Sequence, residues 1–213
     1  MYDLVDLFLK QTQKTALGNI THIDNIPSIM QHGILCHELT QKVKHQSIAL
    51  EPVQDRRHNK RVPNGLPLHQ YACLYFSPRN PMMYYRKCND QIIKMEDLCV
   101  LMVSPLVLAE NGVVISDGNA TSAITRFYDV EEGLQSLNFD MVYAEWWHSD
   151  DVFEKEEKKR VKCAEVLVPR GVPYRFITGA VVPTESTKGE LLDRGFDRQI
   201  IISPYTFFFE GGE

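Results

Sequence analysis

Five short runs rich in β-branched residues crowd the second half of this chain: DLCVLMVSP (97–105), GVVISD (112–117), CAEVLVP (163–169), ITGAVVP (177–183) and RQIIISP (198–204). Several end at proline, which cannot donate to a β-ladder, so each run is cut to a single short strand. They do not alternate regularly with helices. No G-x-G-x-x-G or G-x-x-x-x-G-K-[ST] follows any of them. That argues against a doubly wound nucleotide-binding sheet or a P-loop, and predicts an α+β fold with a mixed or antiparallel sheet flanked by helices. At 213 residues the chain suits one domain, taken as residues 1–213, with enough length to bury a substantial core.

The first half is more helical. Leu4, Leu7 and Phe8 recur at helical spacing among acids over residues 2–14, predicting a short amphipathic helix that Gly18 ends. NITHI (19–23) predicts a short strand. Asp24 or Asn25 offers a cap, Pro27 a first turn and Gly33 a stop for the next helix. Residues 40–69 hold few apolar side chains and predict a long loop with one helix near 50–60. A loop that long in a compact domain is functional or mobile. YACLYFSP (71–78) is an aromatic strand, and RNPMMYYRK (79–87) turns into a helix. Residues 130–147 and 150–160 are expected to be helical. At the C-terminus, Phe207 to Phe209 are expected to dock on the body, with the last four residues frayed.

Composition narrows the partners. No apolar run approaches the ~20 residues of a membrane span. The opening MYDLVDLFLKQTQK mixes acids with apolar residues and has no basic leader, unlike a secretory signal. The five cysteines are odd in number and form no C-x-x-C pair, which fits a reducing cytoplasm and argues against a disulfide framework. The net charge of -5 taken alone argues against nucleic acid. Its distribution argues otherwise. The acids gather at 3–6, 129–132 and 150–157, whereas the 56–87 stretch carries seven Arg or Lys and no acid. That predicts modest, salt-sensitive anion binding confined to one face.

The run V-K-C-A-E-V-L-V-P holds the most informative side chain. Period-2 alternation puts Cys163, Glu165 and Leu167 on one face and Ala164, Val166 and Val168 on the other. Both faces are otherwise apolar, so the strand is covered on both sides. A carboxylate there is costly unless it is paired or faces a cleft. A sheet-edge glutamate, a buried ion pair and a catalytic carboxylate all satisfy that condition.

V-Q-D-R-R-H-N-K-R-V (53–62) places Arg56, Arg57, Lys60 and Arg61 within six positions, a cluster suited to phosphate oxygens. Tyr71, Tyr75, Phe76, Tyr84 and Tyr85 follow, mixed with Arg79, Arg86 and Lys87. Aromatic and basic residues interleaved in this way match single-stranded nucleic acid, whose bases stack while cations follow the backbone. A solvated helix face beside core aromatics has the same composition. The run K-E-E-K-K-R-V-K (155–162) alternates sign and reads as a salt-bridged exposed helix. Asp117, Gly118 and Asn119 follow an apolar strand as a turn, which also suits the mouth of a cleft. His22, His32, Cys36 and His37 match no common zinc spacing, and no metal is expected.

Several segments, in order, resemble the DarT family of DNA ADP-ribosyltransferase toxins. They are I-T-H-I-D-N-I-x-S-I-x-x-x-G-I-L (20–35), S-I-A (47–49), Q-D-R-R-x-x-K-x-V-P (54–63), L-H-x-Y-x-x-x-Y-F-x-P-R-x-P-M-x-Y (68–84), S-D-G-N-A (116–120) and K-x-A-E-V-L-V-P (162–169). The likeness covers about residues 18–170 and weakens toward the C-terminus. It implies an ART-like fold and a glycosyl transfer in which NAD, as co-substrate, gives ADP-ribose to a base of single-stranded DNA. It also implies a linked antitoxin hydrolase that reverses the mark and neutralises the toxin.

By resemblance, Glu165 matches the family's catalytic glutamate and Arg57 its essential arginine. Thr21, His22, Asp24 and Asn25 match the NAD-binding segment, and Tyr75 and Arg79 the side facing nicotinamide and ribose. Arg56, Lys60, Arg61, Tyr84, Arg86 and Asn119 are the expected DNA contacts. One position departs: many members carry histidine two residues before the threonine matched by Thr21, and this chain has Asn19. Asparagine can still hydrogen-bond a ribose hydroxyl. The departure from the thymine-type pattern leans the expected target base toward guanine. Glu165→Ala is expected to abolish transfer with the fold intact. A transferase acting on RNA, a single-strand-binding module without chemistry, and a regulatory domain that binds an acidic partner through 56–61 are the alternatives. A monomer is the default.

Overall fold

The computed structural model describes residues 2–89 and 92–209. The first half runs α1 (Tyr2–Thr12), β1 (Leu17–His22), α2 (Ile26–His32), β2 (Ile34–Leu35), α3 (His37–Thr40), α4 (Glu51–His58), β3 (Tyr71–Tyr75) and α5 (Pro81–Asn89). Then follow β4 (Leu98–Val103), β5 (Val114–Ser116), β6 (Phe127–Tyr128), α6 (Val130–Ser136), α7 (Phe139–Tyr143) and α8 (Val152–Lys162). The chain closes with β7 (Glu165–Pro169), β8 (Gly171–Val172), β9 (Ile177–Val182), α9 (Glu185–Asp193) and β10 (Gln199–Ile202). Eight strands form one sheet in the order β10-β9-β4-β1-β3-β7-β5-β6, and β2 pairs with β8 in a separate ribbon. Every neighbour pair in the large sheet is antiparallel except β9 with β10. The α+β fold class read from the strand pattern is the one observed.

Local signals explain most boundaries. Gly33 stops α2 at a positive φ of 76°, where a Cβ would meet the Val172 carbonyl oxygen. The capping expected of Asn25 is not made: it holds the N-cap position, but its side chain turns away to Thr21 and Gln46. Asp151 starts α8, its carboxylate accepting from the Glu154 amide at 2.9 Å. The predicted 130–147 helix is two helices. α6 ends before Leu137, and the Asn138 side chain accepts from the Met141 amide to begin α7. Residues 144–150 are irregular.

The sheet is covered on both faces, as the apolar alternation implies. Val166 and Val168 lie in the main core with Phe8, Leu74, Leu101 and Ile115. Leu167 faces the other way, into a cluster with Val62, Leu68, Tyr71 and Ala120. Glu165 shares that second face. Cys163 does not belong to the strand: it caps the end of α8, and β7 begins two residues later. The alternating run 155–162 is only partly an exposed helix. Glu154 pairs with Lys158 at 2.7 Å on its outer side, but Lys162 is buried, donating to the carbonyls of Val142 and Ala144. Phe207 and Phe208 are buried against Met83 and Trp147. The expected frayed end, 210–213, lies outside the described residues.

One seam positions everything that follows. β1 runs alongside β4 in register over six residue pairs, from Leu17↔Val103 to His22↔Leu98. On its other side β1 meets β3 at a single pair, Gly18↔Tyr75. Beyond that crossing the strands part, and their facing backbone groups lose the partners a ladder supplies. Glycine permits the crossing, since Pro78 and Val100 lie 3.1 Å from where its Cβ would stand.

Candidate active site at the β1–β3 seam

A cavity of about 260 Å³ opens where β1 and β3 diverge. Asn19, Ile20 and Thr21 form one wall and Cys73 and Tyr75 the other. Arg57 stands at the floor, and the 43–50 segment forms the outer side. Asn19 bridges the parted strands: its Nδ2 donates to the Cys73 carbonyl at 3.0 Å, replacing the missing ladder bond. Thr21 Oγ1 accepts from Asn25 Nδ2 at 3.1 Å. The same asparagine clasps the outer wall, accepting from the Gln46 amide at 2.7 Å and donating to the Gln46 carbonyl at 2.9 Å. Arg86 holds that wall from the far side, donating to the Ile48 carbonyl.

Beneath the cavity lies a buried ion pair. Arg57 Nη1 is 3.1 Å from Glu165 Oε2 and 3.3 Å from Oε1, and the two residues are 8% and 1% exposed. Arg57 lines the cavity and Glu165 does not. Burial by itself would weaken the arginine's charge. The adjacent Glu165 carboxylate opposes that, and the guanidinium stays protonated. Burial raises the Cys73 thiol, and burial together with the Glu165 charge pushes the Tyr75 phenol well above its usual range, so both stay neutral near pH 7. Glu165 is also gripped from behind. The Ala120 amide donates to Oε1 at 3.0 Å, and the Glu165 amide donates to Ser116 Oγ at 3.2 Å. A carboxylate with a fixed orientation, an arginine fork at its side and a polar wall above can hold anionic groups and stabilise developing positive charge.

The structure brings together Asn19, Thr21, Asn25, Tyr75, Arg57 and, one layer down, Glu165. It does not bring His22, Asp24 or Arg79 to the cavity wall. The His22 ring accepts from the Asp24 amide, and Asp24 pairs with Arg194 at 2.7 Å, which holds its carboxyl below the usual range. Arg79 is packed against the rings of Trp146, Tyr205 and Phe208 and donates to the Tyr205 and Glu145 carbonyls. Tyr84 stands in the same aromatic cluster, partly exposed.

The single basic face expected over 56–87 is not formed. Arg56 and Arg61 are exposed, but Arg57 and Arg86 turn inward and Lys60 donates to the Ser122 carbonyl. Helical spacing alone sends Arg56 and Arg57 to different sides of α4. Asn119 spends its side-chain oxygen on Thr121, at the edge of the turn that delivers the Ala120 amide. Sequence reasoning missed Cys73, Ser116 and the Ala120 amide. The first is a thiol with no motif, and the last is a backbone group with no side-chain signal at all. Among the described residues no group of three His, Cys, Asp or Glu side chains converges as a metal site, and no helix is long and apolar enough to cross a membrane.

A mostly antiparallel eight-stranded sheet parted at its centre, with an arginine–glutamate pair under the parting, defines an ADP-ribosyltransferase-like domain. A family model described as "ssDNA thymidine ADP-ribosyltransferase, DarT" matches residues 19–209. The chain belongs to the DarT family. It is 34% identical over 197 residues to a DNA ADP-ribosyl transferase–DNA ADP-ribosyl glycohydrolase fusion protein of Thermosipho africanus, and that match covers 89% of this chain and 48% of the fusion. The chain thus spans about half the length of that relative. The solved structure of a Thermus sp. 2.9 DarT in complex with ADP-ribosylated ssDNA superposes with a TM-score of 0.80 at 27% identity, covering 92% of this chain and 97% of that one. A structure of Thermus sp. 2.9 DarT in complex with carba-NAD+ matches with a TM-score of 0.75 at 25% identity, covering 91% and 98%.

Proposed function

We propose that this chain, acting as a single transferase domain, uses NAD to place ADP-ribose on a base of single-stranded DNA, and that it is the toxin of a pair completed by a hydrolase that removes the mark. The observation that carries the reading is the Arg57–Glu165 pair beneath a cavity whose wall is Asn19, Thr21 and Tyr75. The relatives' ADP-ribosylated DNA and carba-NAD+ complexes support the substrates. The glycohydrolase half of the Thermosipho fusion supports the partner.

The residues divide the work. Asn19, Thr21 and Tyr75 bind NAD at the seam. Phosphate oxygens draw the Arg57 guanidinium toward the cavity, since its fork suits them as well as it suits a carboxylate. Glu165, held by the Ala120 amide, is then free to face the ribose. Positive charge develops on the ribose as the nicotinamide–ribose bond breaks, and the carboxylate stabilises it. An N–H of the base attacks C1′, a new N-glycosidic bond forms, nicotinamide leaves, and the proton from the base passes to Glu165. Arg56, Lys60, Arg61, Tyr84 and Asn119 are carried as DNA contacts on resemblance and charge alone. Arg86 now belongs with the wall of the cavity.

The target base has two supports. The family description names thymidine, and Asn19, standing where many members carry histidine, favours guanine. Mass spectrometry of short DNA and RNA oligonucleotides after incubation with NAD tests the whole reading. The expected product is one added ADP-ribose on DNA, at guanine. Modification of RNA alone, or nicotinamide release without any adduct, would refute it.

A further inference from the structure

The loop that grips Glu165 is itself seated on one side chain. Arg160 Nη1 is 2.6 Å from Asp117 Oδ1 and 3.3 Å from Thr125 Oγ1, tying both ends of the 117–125 segment to α8. The Arg160 carbonyl accepts from the Asn119 amide at 2.9 Å. Glu157 braces the guanidinium from the other side, with contacts of 2.7 Å to Nε and to Nη2. Gly118 fits against it because it has no side chain: a Cβ there would stand 2.5 Å from Arg160 Nη1 and 2.8 Å from its carbonyl oxygen. Two residues on, the Ala120 amide reaches Glu165 Oε1. The ion pair is largely shielded, with side-chain exposures of 12% for Arg160 and 20% for Asp117, so solvent screens it less than a surface pair.

The geometry points to Asp117 and Arg160 as positioning residues for the reaction: their ion pair seats the 117–125 turn on α8 and thereby aims the Ala120 amide at the Glu165 carboxylate. This rests on the role proposed above for Glu165. Neither residue lines the cavity, so neither is expected to touch NAD. An amide aimed at a carboxylate favours its ionised form and fixes which oxygen faces forward. Without the ion pair, the turn drifts and the hydrogen bond from the Ala120 amide is lost. The groups that then remain around Glu165 are Arg57 from α4, Cys73 and Tyr75 from β3, and Cys163 at the end of α8. Of these only Arg57 donates to the carboxylate as a charged group.

The test follows the Ala120 amide by nitrogen-15 NMR, its hydrogen bond to the carboxylate identified with Glu165→Gln, in the wild type, Asp117→Asn and Arg160→Lys. Asp117→Asn is isosteric and keeps an acceptor for the Arg126 amide, so it guards against a variant that fails to fold. The Ala120 amide proton is expected to lose its downfield shift and exchange faster in Asp117→Asn, and less so in Arg160→Lys, which keeps the charge but not the fork. With NAD and an oligonucleotide, kcat is expected to fall about 10-fold or more with KM for NAD nearly unchanged. An Ala120 amide unchanged in shift and exchange in both variants would overturn the inference whatever the activity. Absence of transfer by the wild type would overturn the transferase reading instead, and the amide measurement would still decide this one.

Discussion

Arg57 links Glu165 to the cavity. Its guanidinium is 3.1 Å from the carboxylate, and Arg57 lines the cavity while Glu165, 1% exposed, does not. The buried-pair and catalytic readings of Glu165 are therefore compatible: on the proposed reading, Arg57 is the resting partner of a carboxylate that NAD binding frees.

The pairing changes what Glu165→Ala should do. Removing the carboxylate leaves Arg57 buried and uncompensated, a change that costs about 3–5 kcal/mol for such pairs. Transfer is expected to be lost, and the urea midpoint to drop as well, contrary to the simple expectation of an intact fold. A Glu165→Leu, Arg57→Met double variant should recover much of the stability and none of the activity. Chemical denaturation of the wild type, Glu165→Leu, Arg57→Met and the double variant measures this. A stability loss for the double variant equal to the sum of the singles would contradict it.

Asn19 substitutes for a missing ladder bond between β1 and β3. Asn19→Leu should leave the Cys73 carbonyl without that donor and cost about 1–3 kcal/mol. It should also weaken NAD binding, read by calorimetry. Asn19→Asp replaces the donor with an acceptor and should be at least as damaging. Unchanged stability in both variants would show that the bridge is dispensable.

Arg86 separates cofactor binding from DNA binding. Its guanidinium donates to the Ile48 carbonyl in the outer wall of the cavity. Arg86→Met should raise KM for NAD while leaving the salt dependence of oligonucleotide binding unchanged. A phosphate contact would instead lower that salt slope by about one unit. Fluorescence anisotropy over a salt series gives the answer.

Lys162 sets a pH signature on stability. Burial, helped by the Arg79 charge, lowers its amine from the ordinary 10.5 to about 8. Between those values the unfolded chain holds a proton that the folded one has released, so stability rises with pH across that window and is lost again as pH falls through 8. Lys162→Met should flatten the rise. Urea midpoints measured from pH 7 to 10 test it, and identical pH profiles for both proteins would refute it.

Much of this was legible in the residues themselves, because it depends on local rules. The proline-stopped β-branched runs delimit strands, Gly33 stops a helix, and period-2 alternation puts Glu165 on the face opposite Val166 and Val168. What the tertiary structure alone decided involves partners far apart in the chain. Arg57 and Glu165 are 108 positions apart, and nothing in R-R-H-N-K-R states which arginine turns inward. The seam between β1 and β3 appears only when strand order is known, since each strand taken singly looks fully paired. The Ala120 amide carries no signature because every residue but proline has one. A sequence determines which residues can bear charge or cross a strand; burial and long-range packing decide which of them meet.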